Sequence, residues 1–186
     1  MKKIGFFGGS FNPIHNGHLN LAVSVLEQLK LDQILLCPNN ISPFEKITIE
    51  ARHRYEMVQL ACLHYDHIDV TDIEINRGGM SYTIDTLREL SKVHPDCVIR
   101  FIIADELIPD FPRWKEQEAI ISEYSPILAT RHGTSHPNLP GFEQVKTPIM
   151  QISSTEVRDR IKEGFICEHL LPHAVLTYME KHNLYK

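Results

Sequence analysis

Short apolar runs alternate with longer amphipathic patterns along this chain, and that alternation restricts the fold more than any other feature of the sequence. "KIGFFG" (3–8) reads as a buried strand, and "HLNLAVSVLEQLK" (18–30) places Leu19, Ala22, Val23, Leu26 and Leu29 on one helical face. "QILLCP" (33–38) predicts a strand stopped by proline, "EARHRYEMVQLACLH" (50–64) a helix, "HIDVTDIEI" (67–75) a strand with its extension, and "TIDTLRELSKV" (83–93) a helix. "CVIRFIIA" (97–104) and "YSPILAT" (124–130) add two strands before the Pro- and Gly-containing loop at 131–141. Strand–helix–strand order of this kind joins parallel neighbours, so the expected fold is α/β: a Rossmann-like, mostly parallel sheet with helices on both faces. The end of the chain changes character. "STEVRDRIKEG" (154–164) and "EHLLPHAVLTYMEKHN" (168–183), the second broken near Pro172, predict a C-terminal helical segment.

A chain of 186 residues with 42% hydrophobic content can bury a full core, and one domain over 1–186 is expected. The formal net charge of -5 repels a phosphate backbone, which argues against nucleic acid but leaves room for a local basic pocket that holds a small anion. No apolar run approaches the roughly 20 residues that span a bilayer, and Met1-Lys2-Lys3 leads straight into a strand, so no membrane partner is expected and the protein reads as cytoplasmic. Cys37, Cys62, Cys97 and Cys167 form no CxxC pair and read as thiols of a reducing compartment. His64 and His67 read as surface residues, and the acidic run at 114–123 as a solvated helix face.

In a parallel α/β sheet, ligands bind where strands end and helices begin. "GFFGGSFNPIHNGHLNLA" (5–22) occupies that place after the first strand. Gly8 and Gly9 lack a Cβ, which lets the backbone turn sharply and lets a bulky ligand approach. The third glycine of GxGxxG and the Gly-Lys-Ser/Thr of a P-loop are both missing. His15 and His18, three apart at a helix start, share one face near free backbone N–H groups, a setting that favours an anion. Either histidine alone reads as a cap. A metal would need further ligands, and the sequence offers no HExxH or clustered carboxylates.

"QISSTEVRDRIKEG" (151–164) carries a second helix start. Ser153 fits the N-cap with Glu156 as a capping box, worth about 0.5–2 kcal/mol, and Ile152 with Val157 fits a hydrophobic staple. Arg158 breaks the local rule, because a cation in the early turns is opposed by the helix dipole. An anion bridging Arg158, Ser154, Thr155 and the free N–H groups removes the conflict.

These segments also match known signatures. "GGSFNPIHNGH" (8–18) resembles the T/S-F-D/N-P and H-x-G-H signature of the HxGH nucleotidylyltransferase superfamily, and "ISSTEVR" (152–158) resembles its I-S-S/T-T/S-x-I/V-R motif. "EINRGGMSYTIDTLREL" (74–90) and "FIIADELIPDFPRWKEQEAI" (101–120) resemble two central segments of the bacterial nicotinate-nucleotide adenylyltransferases. The likeness extends through "ILATRHG" (127–133) to "LLPHAVLTYMEKHNLY" (170–185), essentially end to end.

The resemblance implies an enzyme of NAD biosynthesis that joins ATP and nicotinate mononucleotide into nicotinate adenine dinucleotide and pyrophosphate, with Mg²⁺ entering bound to ATP. It implies catalytic roles for His15, His18, Arg158 and Lys46. ATP contacts fall on Gly8, Gly9, Ser10, Phe11, Asn12 and Gly17, and on Ile152, Ser153, Ser154 and Thr155. Acceptor contacts fall on Ser81, Tyr82, Thr83 and Trp114, with Asp105 and Glu106 both standing for the carboxylate that meets the acceptor ribose. The family's P-P-H-K/R loop corresponds to "SPFEK" (42–46), with Phe44 and Glu45 at the basic pair and Lys46 one place on. A phosphopantetheine-type adenylyltransferase and a non-catalytic nucleotide-binding module are the alternatives. The 81–83 and 111–114 segments argue against the first, and the retained His15, His18 and Arg158 against the second. A homo-oligomer is compatible with the sequence.

Overall fold

A central strand, β1 (Lys2–Gly9), organises the molecule around itself. The computed structural model describes residues 1–44, 49–130 and 139–186. After β1 come α1 (Asn16–Gln28), β2 (Gln33–Pro38), α2 (Ala51–Cys62), β3 (Ile68–Val70), α3 (Ile73–Arg77) and α4 (Thr83–Val93). β4 (Cys97–Ala104) leads through a 3₁₀ stretch, Asp105–Arg113, into α5 (Gln117–Tyr124), β5 (Ile127–Thr130), β6 (Glu143–Lys146), α6 (Ser154–Lys162) and α7 (His173–Lys181). Among the described residues one 6-stranded sheet has the order β3-β2-β1-β4-β5-β6, with every neighbouring pair parallel. The winding reverses between β1 and β4, and the carboxyl ends of these two strands therefore open a crevice.

The pleat sorts side chains to two cores, because successive residues of a strand face opposite ways. Ile4 and Phe6 of β1, Leu35 and Cys37 of β2, and Ile99, Phe101 and Ile103 of β4 pack with Ile84, Leu87 and Leu90 of α4 and Ile120 of α5. Phe7, Ile34, Leu36, Ile102 and Ala129 face the other side, against α1, Met57 and Val58 of α2, and Val175 and Met179 of α7. Helices on both faces explain why the strands read as continuous apolar runs. All four cysteines are free thiols; Cys37, Cys62 and Cys167 are buried, and burial pushes the Cys62 thiol up to about 12. Among the described residues no helix is long and apolar enough to cross a membrane.

Several elements differ from the sequence expectation. The strand expected over 67–75 ends at Val70, and Ile73–Arg77 is helical. Gly78, at φ 71, closes that helix from the left-handed region, with its N–H donating to the Glu74 and Ile75 carbonyls. The alternating "DIEI" mimicked a strand, and in the fold it forms a short helix with Glu74 buried. In α1 the fully buried residues are Leu19, Leu21, Ala22 and Val25, whereas Val23, Leu26 and Leu29 only flank the core. Tyr124 belongs to α5 rather than to the following strand, and α7 begins only after Pro172. β6 was not expected, because Val145 is the only buried residue of its four and leaves no period to read. Most of the loop at 131–141 lies outside the described residues.

Candidate active site

β1 delivers Gly8 and Gly9 to the crevice still in extended conformation. The extended backbone there makes no sharp turn, and a side chain would be crowded. A Cβ on Gly8 would stand 3.0 Å from Phe6 Cζ, and one on Gly9 3.2 Å from Phe11 Cζ. The left-handed residue is Phe11 itself, at φ 44, a conformation that costs on the order of 1–3 kcal/mol. Packing holds it: the Phe11 ring is buried, edge-on to Phe7 at 5.6 Å and to His18 at 5.0 Å.

That turn aims the start of α1 at the cavity. His15 occupies the N-cap and His18 the third helical position, and their rings stack with centroids 3.7 Å apart. The His15 backbone N–H donates to His18 Nδ1 at 3.2 Å. An accepting Nδ1 leaves the neutral ring's hydrogen on Nε2, so His18 carries a donor on its far edge. Gly17 is buried between them and does not face the cavity.

α6 meets the same loop from the other end of the chain. Ser153 caps it, its Oγ accepting from the Glu156 N–H at 3.1 Å, and Ile152 and Val157 anchor the helix start in the core. Ser154 Oγ donates to the Pro13 carbonyl at 2.8 Å. Arg158 Nη1 donates to the Asn12 carbonyl at 2.7 Å, and Nη2 to Thr155 Oγ1 at 3.0 Å. Two motifs expected to share an anion are thus joined directly, across 146 residues of sequence.

A buried cation supports this loop from beneath. Arg54 is 0% exposed, and its guanidinium donates to the Ser10 carbonyl, Asn39 Oδ1, the Asn39 carbonyl and the Asn40 carbonyl at 2.8, 2.9, 2.5 and 3.1 Å. The Asn40 N–H in turn donates to Ser81 Oγ at 2.9 Å. The segment leaving β2 therefore ties the first loop to the turn that opens α4.

That turn forms the other half of the cavity. Tyr82 is the N-cap of α4, and its ring lies 5.0 Å from Lys115 Nζ. Behind it Glu74 is buried, accepting from Thr86 Oγ1 at 2.6 Å, while Arg77 Nη2 donates to Thr86 at 2.8 Å. Burial pushes the Glu74 carboxyl up from its ordinary range, against hydrogen bonds from Thr86 and Ser81 and the Arg77 charge, which hold it down. Trp114 is half-buried against Phe101 and Phe111, and Phe44 faces it at 6.3 Å with the rings 24° from parallel.

Together these elements line one cavity of about 620 Å³. Gly8, Gly9, Ser10, Phe11, Asn12, His15 and His18 line it from β1 and α1; Ser153, Ser154, Thr155 and Arg158 from α6; Ser81, Tyr82, Thr83, Glu106 and Trp114 from the far side. Three expected residues sit back from it. Gly17 and Ile152 are buried beneath, and Asp105 is buried at 3% exposure, while its neighbour Glu106 lines the cavity. Lys46 lies outside the described residues. Phe44 of the 42–46 loop lines the cavity, as do Asn39 and Glu74, which were not singled out from sequence, nor was Arg54 below them. Arg54 had a signal: it shares the inward stripe of α2 with Met57, Val58 and Ala61, where a charge is out of place without partners. Among the described residues no group of three or more His, Cys, Asp or Glu side chains is placed to hold a metal ion.

Comparison with known proteins agrees with this geometry. Residues 6–160 match the family model described as cytidylyltransferase-like. A protein of Lactococcus lactis named probable nicotinate-nucleotide adenylyltransferase is 36% identical over 187 residues, covering 100% of this chain and 96% of that one. A protein of the same name from Streptococcus mutans is 38% identical over 191 residues, covering 100% and 89%. Among solved structures, Plasmodium falciparum nicotinic acid mononucleotide adenylyltransferase complexed with NaAD superimposes with a TM-score of 0.83 at 23% identity, over 100% of this chain and 98% of that one. At that identity the likeness is one of fold.

Proposed function

The chain belongs to the nicotinate-nucleotide adenylyltransferase family, within the cytidylyltransferase-like proteins, and from that premise we propose that it transfers the adenylyl group of ATP to nicotinate mononucleotide. The products are nicotinate adenine dinucleotide and pyrophosphate. In this reading an oxygen of the acceptor 5′-phosphate attacks the α-phosphorus in line, the new P–O bond forms as the bond to the β-phosphate oxygen breaks, and pyrophosphate departs with that electron pair.

A phosphate oxygen is already nucleophilic, so the protein's work is to align two anions and stabilise the charge that gathers on the α-phosphoryl oxygens and the leaving group. The donor set suits that task. His15 and His18 present a stacked pair of imidazoles at a helix N-terminus, and Arg158 lines the same cavity with Thr155 beside it. The α6 N-terminus adds backbone N–H groups near Ser154 and Thr155. Donors of this kind grip phosphate directly, and Mg²⁺ would enter with the nucleotide as MgATP and neutralise part of the charge on its phosphates.

The acceptor half is assigned to the far side. The Ser81–Thr83 turn offers helix N-terminal amides to the nicotinate carboxylate, Trp114 offers a face to the ring, and Glu106 is the carboxylate within reach of the ribose. Lys115 adds positive charge at that end. The chain would work as one domain.

The observation that carries this reading is the 2.7 Å bond from Arg158 to Asn12, which sets both phosphate-binding motifs on one cavity. The test is pyrophosphate release at saturating MgATP with nicotinate mononucleotide, nicotinamide mononucleotide and phosphopantetheine as acceptors. Turnover with the first, at least tenfold above the others in kcat/KM, is expected. Turnover with phosphopantetheine alone, or with none, overturns the assignment.

A further inference from the structure

We propose that Tyr185 is a positioning residue of the triphosphate grip: its phenol holds the Asn12 side chain by Oδ1, which leaves the amide NH₂ as a donor for the phosphates. This rests on the reading that the cavity holds ATP.

After α7 the chain turns back on itself through two residues in the left-handed region, Asn183 at φ 52 and Tyr185 at φ 66. The Leu184 N–H donates to the Met179 carbonyl at 3.0 Å and the Asn183 N–H to the Glu180 carbonyl at 3.2 Å, which closes the reversal. It carries the Tyr185 phenol 173 residues back along the sequence, where its OH donates to Asn12 Oδ1 at 2.7 Å. The contact is a short, well-formed O–H···O bond.

Its consequence follows from the chemistry of an amide. Asn12 lines the cavity, and with Oδ1 engaged the remaining polar group of its side chain is the NH₂, a donor. A donor attracts a polyphosphate, whereas the carbonyl edge would repel it. Asn12 is also held at its main chain, since its carbonyl accepts from Arg158 at 2.7 Å. One residue is therefore held at two points, its side chain by Tyr185 and its carbonyl by Arg158. The residues beside it have their own anchors: Ser154 Oγ donates to the Pro13 carbonyl, and the Asn16 N–H donates to the Leu170 carbonyl at 2.9 Å. Those bonds hold the backbone, and Tyr185 sets the side chain. Burial drives the phenol well above its ordinary range, against the nearby Arg158 and Arg54 charges, so it stays protonated and remains a donor at neutral pH.

The test is a double-mutant cycle of Tyr185→Phe and Asn12→Ala. kcat and KM for ATP are read by pyrophosphate release at saturating nicotinate mononucleotide, below the thermal midpoint of every variant. Tyr185→Phe keeps the ring and removes only the donor. It should lower kcat/KM for ATP about tenfold, equivalent to about 1.4 kcal/mol, and leave KM for the acceptor unchanged. The double variant should be no worse than Asn12→Ala, because both changes remove one device. A Tyr185→Phe enzyme with wild-type kcat/KM, or one that loses only thermal midpoint, overturns the proposal, as do additive effects in the cycle. If the unaltered protein releases no pyrophosphate with any acceptor, the functional assignment fails instead. The same cycle is then read as affinity for a nonhydrolysable ATP analogue by calorimetry, where coupled losses support the role of Tyr185 and additive or absent ones refute it.

Discussion

Replacing Arg54 with methionine would keep much of the side chain's length and apolar bulk while removing all its donors. The magnitude follows from what the guanidinium holds: two donor nitrogens serve the carbonyls of Ser10, Asn39 and Asn40 and the Asn39 side-chain oxygen, all inside 3.1 Å. A buried acceptor left without a donor costs roughly 1–3 kcal/mol. Ser10, Asn39 and Asn40 are half-buried, so water can replace part of the loss, and methionine avoids the cost of burying a charge. We expect a net destabilisation of about 3–5 kcal/mol, a large share of the roughly 5–15 kcal/mol that holds a domain together. At about 2–4 °C per kcal/mol for a chain of this size, the midpoint should fall by on the order of 10 °C. Lysine, with one ammonium in place of a fork, should fall between the two. Thermal melts by circular dichroism, paired with urea titration, measure both. An Arg54→Met protein that melts within about 2 °C of the parent would refute the reasoning, since the carbonyls would then not depend on the guanidinium.

Three further outcomes are expected. His18→Ala should lose about 10²–10³ in kcat with little change in KM for ATP, and single-turnover kinetics with unchanged chemistry would defeat its assigned role. Phe44→Ala should raise KM for the acceptor several-fold more than KM for ATP, because Phe44 faces Trp114 across the acceptor end; equal changes in both would count against that placement. Glu74 gives a pH signature. Its carboxyl is raised in the fold, so the native state binds the proton more tightly than the unfolded chain, and stability contributed by this group is full below the ordinary carboxyl range. It is lost as pH rises from about 4.5 through the raised native value. Urea denaturation between pH 4 and 7 should show this slope in the parent and a flatter profile in Glu74→Gln. An unchanged slope would locate the linkage elsewhere.

Much of this protein was written locally. Strands β1, β2 and β4 and helices α1, α2 and α4 were legible because each buries a face whose period survives in the sequence, and the cap at Ser153 needs only its near neighbours. The two helix starts that meet at the cavity were likewise readable one at a time, the first by the spacing of His15 and His18 and the second by its cap and the cation Arg158 in its early turns. The sequence alone could not show that rings crowd Gly8 and Gly9 within an extended strand, or that left-handed Phe11 makes the turn after them. Nor could it show that of the adjacent carboxylates Asp105 and Glu106 the first is buried and the second lines the cavity.

What the sequence determined by itself was an α/β chain with two distinctive helix starts, because hydrophobic period and helix capping act over a few residues. What only the tertiary structure decided was the site those pieces make. Arg54 to Ser10, Arg158 to Asn12 and Tyr185 to Asn12 join residues 44, 146 and 173 positions apart, and no local pattern records a hydrogen bond across such a distance. The sheet creates that proximity: with β1 at its centre and the winding reversed beside it, the first loop becomes the place to which distant parts of the chain return.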